Sequence, residues 1–335
     1  MLAYSSNPSS SFSGPARVHP RKVDPFCASA DEDKSLLPYQ DLCVVKVLNK
    51  AKFPVYLACS KLNKSMMFAM KVFPHQNSKP HRYFENEARF SRLDHPNVIK
   101  IAYIENEKAV YYRGDLTQVS IILMEYAPWG DFFDLVNKSC FVQRNNKLVR
   151  TYFKQLVEGV EYLHNQGVAH MDLKLENLLV SENYGMKIAD FDLSYMKGDR
   201  QILARGTKCY RAPEVMRARC VNYYAADVYS MGVILFVMKS GGLMPHSENA
   251  LVQGVNFYEL LYTDNEQFWA KHRQFQEKYH GDFEPEFREL FNMMTKYKPE
   301  ERATINMIKE SKWYNGETYT DEELKNLMQT YFVQA

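Results

Sequence analysis

From Tyr39 onward, apolar and polar positions alternate in short runs. LCVVKVL, VYLACSKL and MMFAMKVF are rich in valine, aromatic and other apolar residues, the pattern of β-strands. NKAKFP and NKS separate them as turns. Over residues 81–93 (HRYFENEARFSRL) the period changes: Tyr83, Phe84, Phe90 and Leu93 recur at helical spacing. His95-Pro96-Asn97 ends that helix, because the residue before a proline is pushed out of the helical region. Two further strands follow, VIKIAYI and VSIILMEYA, with a loop around Arg113-Gly114-Asp115. After Pro128-Trp129-Gly130 helices dominate, over about 131–138, 148–166, 225–239, 252–261, 266–271, 284–296, 304–310 and 321–332. Strands plus one helix, then mostly helices, predict a two-lobed α+β fold: a small β-rich N-terminal lobe and a larger helical C-terminal lobe. A cleft between lobes is a usual place for a small-molecule site.

Composition narrows the class. Hydrophobic residues make up 46 % of the 335 and charged residues 24 %, enough for a sizeable core. A net charge of +2 argues against a nucleic-acid partner. The longest apolar stretch, Val228 to Met238, is too short to span a bilayer and reads as a buried core helix. The six cysteines form no C-x-x-C pair, so reduced thiols and a cytoplasmic location are expected. Residues 1–38 are rich in serine, proline and charge, which predicts a disordered tail. The start also lacks the charged and apolar regions of a secretory signal.

The chemistry concentrates on two loops. His170-Met171-Asp172-Leu173-Lys174-Leu175-Glu176-Asn177 follows a long amphipathic helix and precedes the short apolar run LLV. Phosphoryl transfer needs a carboxylate near the attacking hydroxyl, a cation near the moving phosphate and an oxygen ligand for magnesium. Asp172, Lys174 and Asn177 supply one of each. Farther on, Ala189-Asp190-Phe191-Asp192 follows another short strand, MKIA, and Asp190 offers a hard anionic oxygen suited to magnesium.

With these residues in place, the chain resembles the eukaryotic protein kinase family from about Tyr39 to Trp313. The family pattern H-R-D-L-x-x-x-N appears as HMDLKLEN, D-F-G as DFD, and A-P-E as Ala212-Pro213-Glu214 within GTKCYRAPE. FAMK resembles V-A-I-K and places Lys71 on the third strand. The resemblance implies a kinase domain over 39–314, with small lobe 39–126 and large lobe 127–314, and a helical extension over 315–335. It implies ATP and Mg2+ as cofactors and protein substrates. Asp172 would accept the substrate proton and Lys174 would steady the γ-phosphate, as in the serine/threonine branch. Asn177 and Asp190 would hold metal ions. Lys71 would hold the α- and β-phosphates and pair with Glu87, or else Glu85. Backbone groups of Glu125 and Ala127 would meet adenine, with Met124 behind the pocket, Leu48, Val55, Ala69 and Leu179 about the ring, and Asp131 near the ribose. Thr207 would contact the catalytic loop, Glu214 and Arg302 would form a buried ion pair, and Asp227 would tie the catalytic loop down. EARFSRLDHPN, EYAPWGDFFD and the KW…EELKNLM tail look most like the calcium/calmodulin-dependent and energy-sensing branch.

Three positions depart from the pattern. The glycine-rich loop reads Asn49-Lys50-Ala51-Lys52-Phe53-Pro54, which predicts a stiffer lid. Lys50 and Lys52 either supply compensating charge or are solvated. Asp192 stands where the family has glycine, so a left-handed residue at a cost of about 1 kcal/mol is expected there. Met171 replaces the arginine that in many relatives meets a phosphorylated activation segment, and 193–206 holds no threonine. Two functions follow: an active serine/threonine kinase, or a pseudokinase scaffold that keeps the fold. The sequence leaves substrate, upstream regulator and oligomeric state open.

Overall fold

The computed structural model describes residues 42–334, apart from 51, 76, 78, 113–114, 138–141, 143–144, 201–205, 220–221, 247–255 and 280–282. The N-terminal segment read as a tail lies outside the described residues.

Strands β1 (Leu42–Asn49), β2 (Val55–Ser60) and β3 (Met67–Pro74) follow one another in antiparallel hairpins. Helix α1 (Arg82–Ala88) leads to β4 (Ile101–Tyr112) and β5 (Asp115–Glu125), completing a sheet of order β1-β2-β3-β5-β4. The period-2 alternation divides β3 between two faces. Met70 and Val72 join a cluster with Tyr56, Val119 and Ile121. Ala69 and Phe73 belong to the main core, with Phe84 of α1 and Ile122 and Met124 of β5. The sequence period predicts helix to 93, but α1 stops at Ala88. Beyond it the backbone tightens into three-residue turns, Phe90 N to Glu87 O at 3.1 Å and Leu93 N to Phe90 O at 3.1 Å.

The second lobe is helical. It runs α2 (Phe132–Asn137), α3 (Asn146–Asn165), β6 (Val168–Ala169), β7 (Leu178–Val180), β8 (Met186–Ile188) and β9 (Tyr195–Met196). Then come α4 (Pro213–Met216), α5 (Tyr223–Ser240), α6 (Phe257–Thr263), α7 (Asn265–Tyr279), α8 (Pro285–Met294), α9 (Ile305–Glu310) and α10 (Asp321–Gln334). Every residue of α5 from Ala225 to Ser240 is buried, as a helix apolar on all sides requires. It is the core helix read from Val228–Met238, and no described helix is long and apolar enough to cross a membrane. Two boundaries differ from expectation. The helix predicted from 266 to 271 extends to Tyr279, and the one predicted from 252 begins at Phe257. There the Asn256 side chain accepts from Glu259 N and caps the start. The short α4 was not anticipated; Pro213 at its first turn supplies the helical φ.

Candidate active site

Lys71 sits on β3 between the sheet and α1. Its Nζ lies 2.6 Å from Glu87 Oε2 and 2.6 Å from Asp190 Oδ1. Of the two candidate glutamates, Glu87 therefore meets the lysine, and it is 1 % exposed. The short α1 carries Glu87 to Lys71, while Asp190 arrives from the loop after β8 in the other lobe. One ammonium thus bridges both lobes. Burial alone would depress Lys71, but Glu87, Asp190 and Asp192 outweigh it and hold its pKa well above the ordinary value. For Asp190 the balance is the mirror image. Burial pushes it up, and the Lys71 ammonium brings it below the usual carboxylate range.

The HMDLKLEN loop is held from beneath by Asp227 of α5. Its carboxylate accepts from His170 N at 2.8 Å, Met171 N at 2.9 Å and His164 Nε2 at 3.0 Å. Asp172 Oδ1 then accepts from Thr207 N at 2.6 Å and Thr207 Oγ1 at 2.9 Å. Its Oδ2 lies 2.9 Å from Lys174 Nζ. Asn177 Nδ2 donates to Asp172 O at 2.9 Å and to Oδ2 at 3.3 Å, which leaves its Oδ1 as the oxygen available to a cation. Lys174 Nζ also reaches Thr207 Oγ1 at 3.0 Å. Burial works against charge on Lys174, and Asp172 more than offsets it, raising its pKa.

The left-handed residue expected at Asp192 is elsewhere. Among non-glycine residues on these loops, Met171 (φ 65°) and Asp190 (φ 70°) take positive φ, and Asp192 does not. The backbone turns at Asp190 instead, so the missing glycine costs nothing through φ. The change acts through charge instead. Burial, then the Asp190 carboxylate, push Asp192 up to about 6.

The lid lacks glycine and is pinned. Phe53 is 8 % exposed. Its ring lies 4.7 Å from Phe73, 4.8 Å from His81 and 5.6 Å from Tyr83. Pro54 has no N–H to give, but its carbonyl accepts from Val72 N at 3.0 Å. Lys52 is exposed, and its ammonium sits 4.6 Å over the Tyr83 ring.

Around the expected adenine position, Ala69 of β3 pairs with Met124 of β5, both buried, and Val55 pairs with Lys71. Leu179 bridges Asp131, and Val55 and Leu179 pack half-buried on the main core. Leu48, at the end of β1, is 38 % exposed. Glu125, paired with Phe68 at the end of β5, donates its N–H to Lys100 O at 2.9 Å. The Glu125 carboxylate binds Lys187 at 2.7 Å. Ala127 follows, half-buried, on the connection between the lobes. Asp131 Oδ1 accepts from Asp134 N at 2.9 Å, capping α2. Away from the cleft, Glu214 and Arg302 form a two-pronged pair at 2.7 and 3.0 Å.

Two features escaped the sequence reading. Asn86 Nδ2 points at three carbonyls of the DFD loop, Phe191 O, Asp192 O and Ser194 O, at 3.3, 3.0 and 2.9 Å. Arg89 grips Asp199 through both terminal guanidinium nitrogens. Neither carries a local signal, because each contact joins residues more than a hundred positions apart.

A small antiparallel sheet set over a helical lobe, with a lysine–carboxylate pair facing an Asp/Lys/Asn loop, is the architecture of a two-lobed nucleotide-dependent phosphotransferase. A family model described as protein kinase domain matches residues 46–314. The chain belongs to that family. It is similar to CBL-interacting protein kinase 26 of Oryza sativa subsp. japonica, 32 % identical over 227 residues, or 66 % of this chain and 41 % of the relative. It is similar to CBL-interacting serine/threonine-protein kinase 20 of Arabidopsis thaliana, 31 % identical over 225 residues, 66 % of this chain and 45 % of the relative. With CBL-interacting protein kinase 31 of Oryza sativa subsp. japonica it shares 29 % over 255 residues, 73 % of this chain and 51 % of the relative. The chain thus spans about half, or less, of the length of these relatives. The family implies use of ATP and a divalent metal.

Proposed function

We propose that the chain is a protein serine/threonine kinase that transfers the γ-phosphate of ATP to a hydroxyl of protein substrates, with Asp172 as the base. The observation that carries the reading is the Lys71 ammonium, 2.6 Å from carboxylates of both lobes, with Asp190 close enough to Lys174 of the Asp172 loop for their charges to interact. Asp172 holds its carboxylate fixed between Thr207 and Lys174, so it orients the incoming hydroxyl and takes its proton at Oδ2. Lys174, kept charged beside it, steadies negative charge on the transferring group. Lys71 holds the α- and β-phosphates, and Glu87 fixes where its ammonium sits. The carbonyl of Glu125 and the backbone of Ala127 orient the base, with Met124, Val55, Ala69, Leu48 and Leu179 about the ring and Asp131 toward the ribose.

The donor set suits Mg2+. Among the described residues no cluster of three or more His, Cys, Asp or Glu side chains forms a ready cage. Asn177 and Asp190 instead offer two hard oxygens, which fits an ion that takes its other ligands from phosphates and water. When bound, that ion neutralises phosphate charge. A cytoplasmic location accompanies this reading.

The test is transfer of labelled γ-phosphate from ATP with magnesium to serine- and threonine-containing peptides, wild type beside Asp172→Asn. The expected loss is about 10²-fold or more. Nucleotide binding without Asp172-dependent transfer would instead establish a scaffold.

A further inference from the structure

Glu87 is useful only if α1 is held against β3, and α1 is a single helix of 7 residues. A helix so short has little stability of its own. Its position must come from what grips it. On one side Phe84 packs on Phe73, 5.6 Å between centroids. On the other, Asn86 and Arg89 stand three residues apart and so share one face, while Glu87 is turned about 100° from Asn86. Both grip the segment that follows Asp190. The Asn86 amide spans the carbonyls of Phe191, Asp192 and Ser194. The Arg89 guanidinium takes Asp199 in a two-pronged pair, 2.8 Å to Oδ1 and 2.9 Å to Oδ2.

Asp199 is itself preset. Its Oδ2 accepts from Met196 N at 3.0 Å and its N–H donates to Met196 O at 2.9 Å, in a turn completed by Gly198 at φ 101°. The two hydroxyl residues at the head of the segment are engaged as they stand. Ser194 is 1 % exposed and donates to His170 O at 3.1 Å. Tyr195 packs on Tyr223, 4.1 Å between ring centroids. Met171, buried beside Asp172, offers no cation for a phosphate.

We infer that Asn86 and the Arg89–Asp199 pair are positioning residues that clamp α1 to the DFD segment, Asp199 supplying from the unmodified chain the anion that holds Glu87 on Lys71. The two grips flank Glu87 in the chain, so its side chain is directed at β3 while the opposite face is tied to the other lobe. Closing the clamp also fixes the backbone at Asp192, two residues from Asp190. Small-lobe helix and metal-site loop are thereby placed by one set of contacts. This inference rests on the kinase reading, in that its consequence is for phosphate transfer.

The experiment uses the full chain, purified and treated with a broad-specificity protein phosphatase. Arg89→Glu, Asp199→Arg and the double exchange are compared with wild type for transfer from ATP–magnesium to a serine/threonine peptide pool. Hydrogen exchange of the peptide covering 82–90 is followed in parallel, and thermal unfolding checks that each variant is folded. Both side chains of the pair are about one-third exposed, so the exchange leaves the core intact. Asn86→Ala is an independent arm. The expected result is a kcat reduced roughly tenfold in each single variant, KM for ATP changed less than threefold, faster exchange in α1, and recovery of both readouts in the double exchange. Phosphatase treatment of wild type leaves kcat unchanged. Unaltered α1 exchange in both Arg89→Glu and Asn86→Ala, no recovery in the double exchange, or a tenfold loss on phosphatase treatment would overturn the inference. If wild type transfers no phosphate while α1 exchange still rises in the singles and recovers in the double, the clamp stands and the kinase reading falls.

Discussion

Phe332, near the end of α10, stacks on Trp129 in the connection between the lobes, 4.7 Å between centroids with planes 28° apart. Tyr184, from the β7–β8 turn, completes a three-ring stack at 5.0 Å from Trp129 and 5.9 Å from Phe332. Trp129 also donates to Glu182 O at 3.3 Å. The last helix therefore returns to the segment that follows β5 and braces it. Phe332 is 6 % exposed, and truncating a buried phenylalanine costs about 3 kcal/mol. Phe332→Ala should lower the urea-unfolding free energy by about that amount, and Phe332→Leu by less than half. Equal stability of Phe332→Ala and wild type would show that the stack contributes nothing.

The lid should depend on an aromatic anchor rather than on glycine freedom. Phe53→Ala removes a ring that touches Phe73, His81 and Tyr83. The expected outcome is a stability loss of about 3 kcal/mol and a smaller thermal shift on adding ATP–magnesium. Phe53→Tyr should behave like wild type. An unchanged ATP shift in Phe53→Ala would separate the lid from the nucleotide.

Glu214 and Arg302 are a buried ion pair far from the cleft chemistry. Removing one partner of such a pair typically costs about 3–5 kcal/mol. Arg302 keeps other acceptors, Ala225 O at 2.6 Å and Lys296 O at 2.9 Å, so Glu214→Gln should fall at the low end, near 3 kcal/mol by denaturant titration.

Acid should weaken the large lobe through two buried histidines. His246 and His272 are 4 % and 2 % exposed, and burial lowers each to about 4. His246 Nε2 pairs with Tyr229 Oη at 2.7 Å and His272 Nε2 with Pro245 O at 2.9 Å. The unfolded chain takes up these protons near pH 6.5, whereas the folded chain resists until about 4. The neutral-histidine stability is therefore complete above pH 6.5 and is lost as pH falls toward 4. The slope is about 1.4 kcal/mol per histidine for each pH unit. Melting temperatures should drop between pH 7 and 5, and His246→Gln or His272→Gln should flatten that drop. Parallel curves for variants and wild type would rule out these histidines as the cause.

Much of the architecture was legible in local pattern. The β3 alternation that puts Lys71 among Ala69 and Phe73, the apolar run that became α5, and the HMDLKLEN loop are each written in neighbouring residues. The misreadings also have physical causes. Helical spacing through Phe90 and Leu93 suggested a longer α1, yet turns of three residues place the same side chains in the core. The glycine missing from DFD suggested a strained Asp192, but the left-handed turn falls at Asp190, the residue whose carboxylate meets Lys71 of the other lobe. The lid sequence showed the absence of glycine and not where Phe53 would go.

The sequence by itself determined the order of elements, the HMDLKLEN loop and the family, because periodicity and motif spacing depend on residues close together in the chain. Tertiary structure alone decided that Lys71 meets Asp190 at a separation of 119 residues and that Arg89 meets Asp199 at a separation of 110. It also decided that Phe332 returns to Trp129. Contacts across such distances follow from how the lobes pack, and no local pattern encodes them.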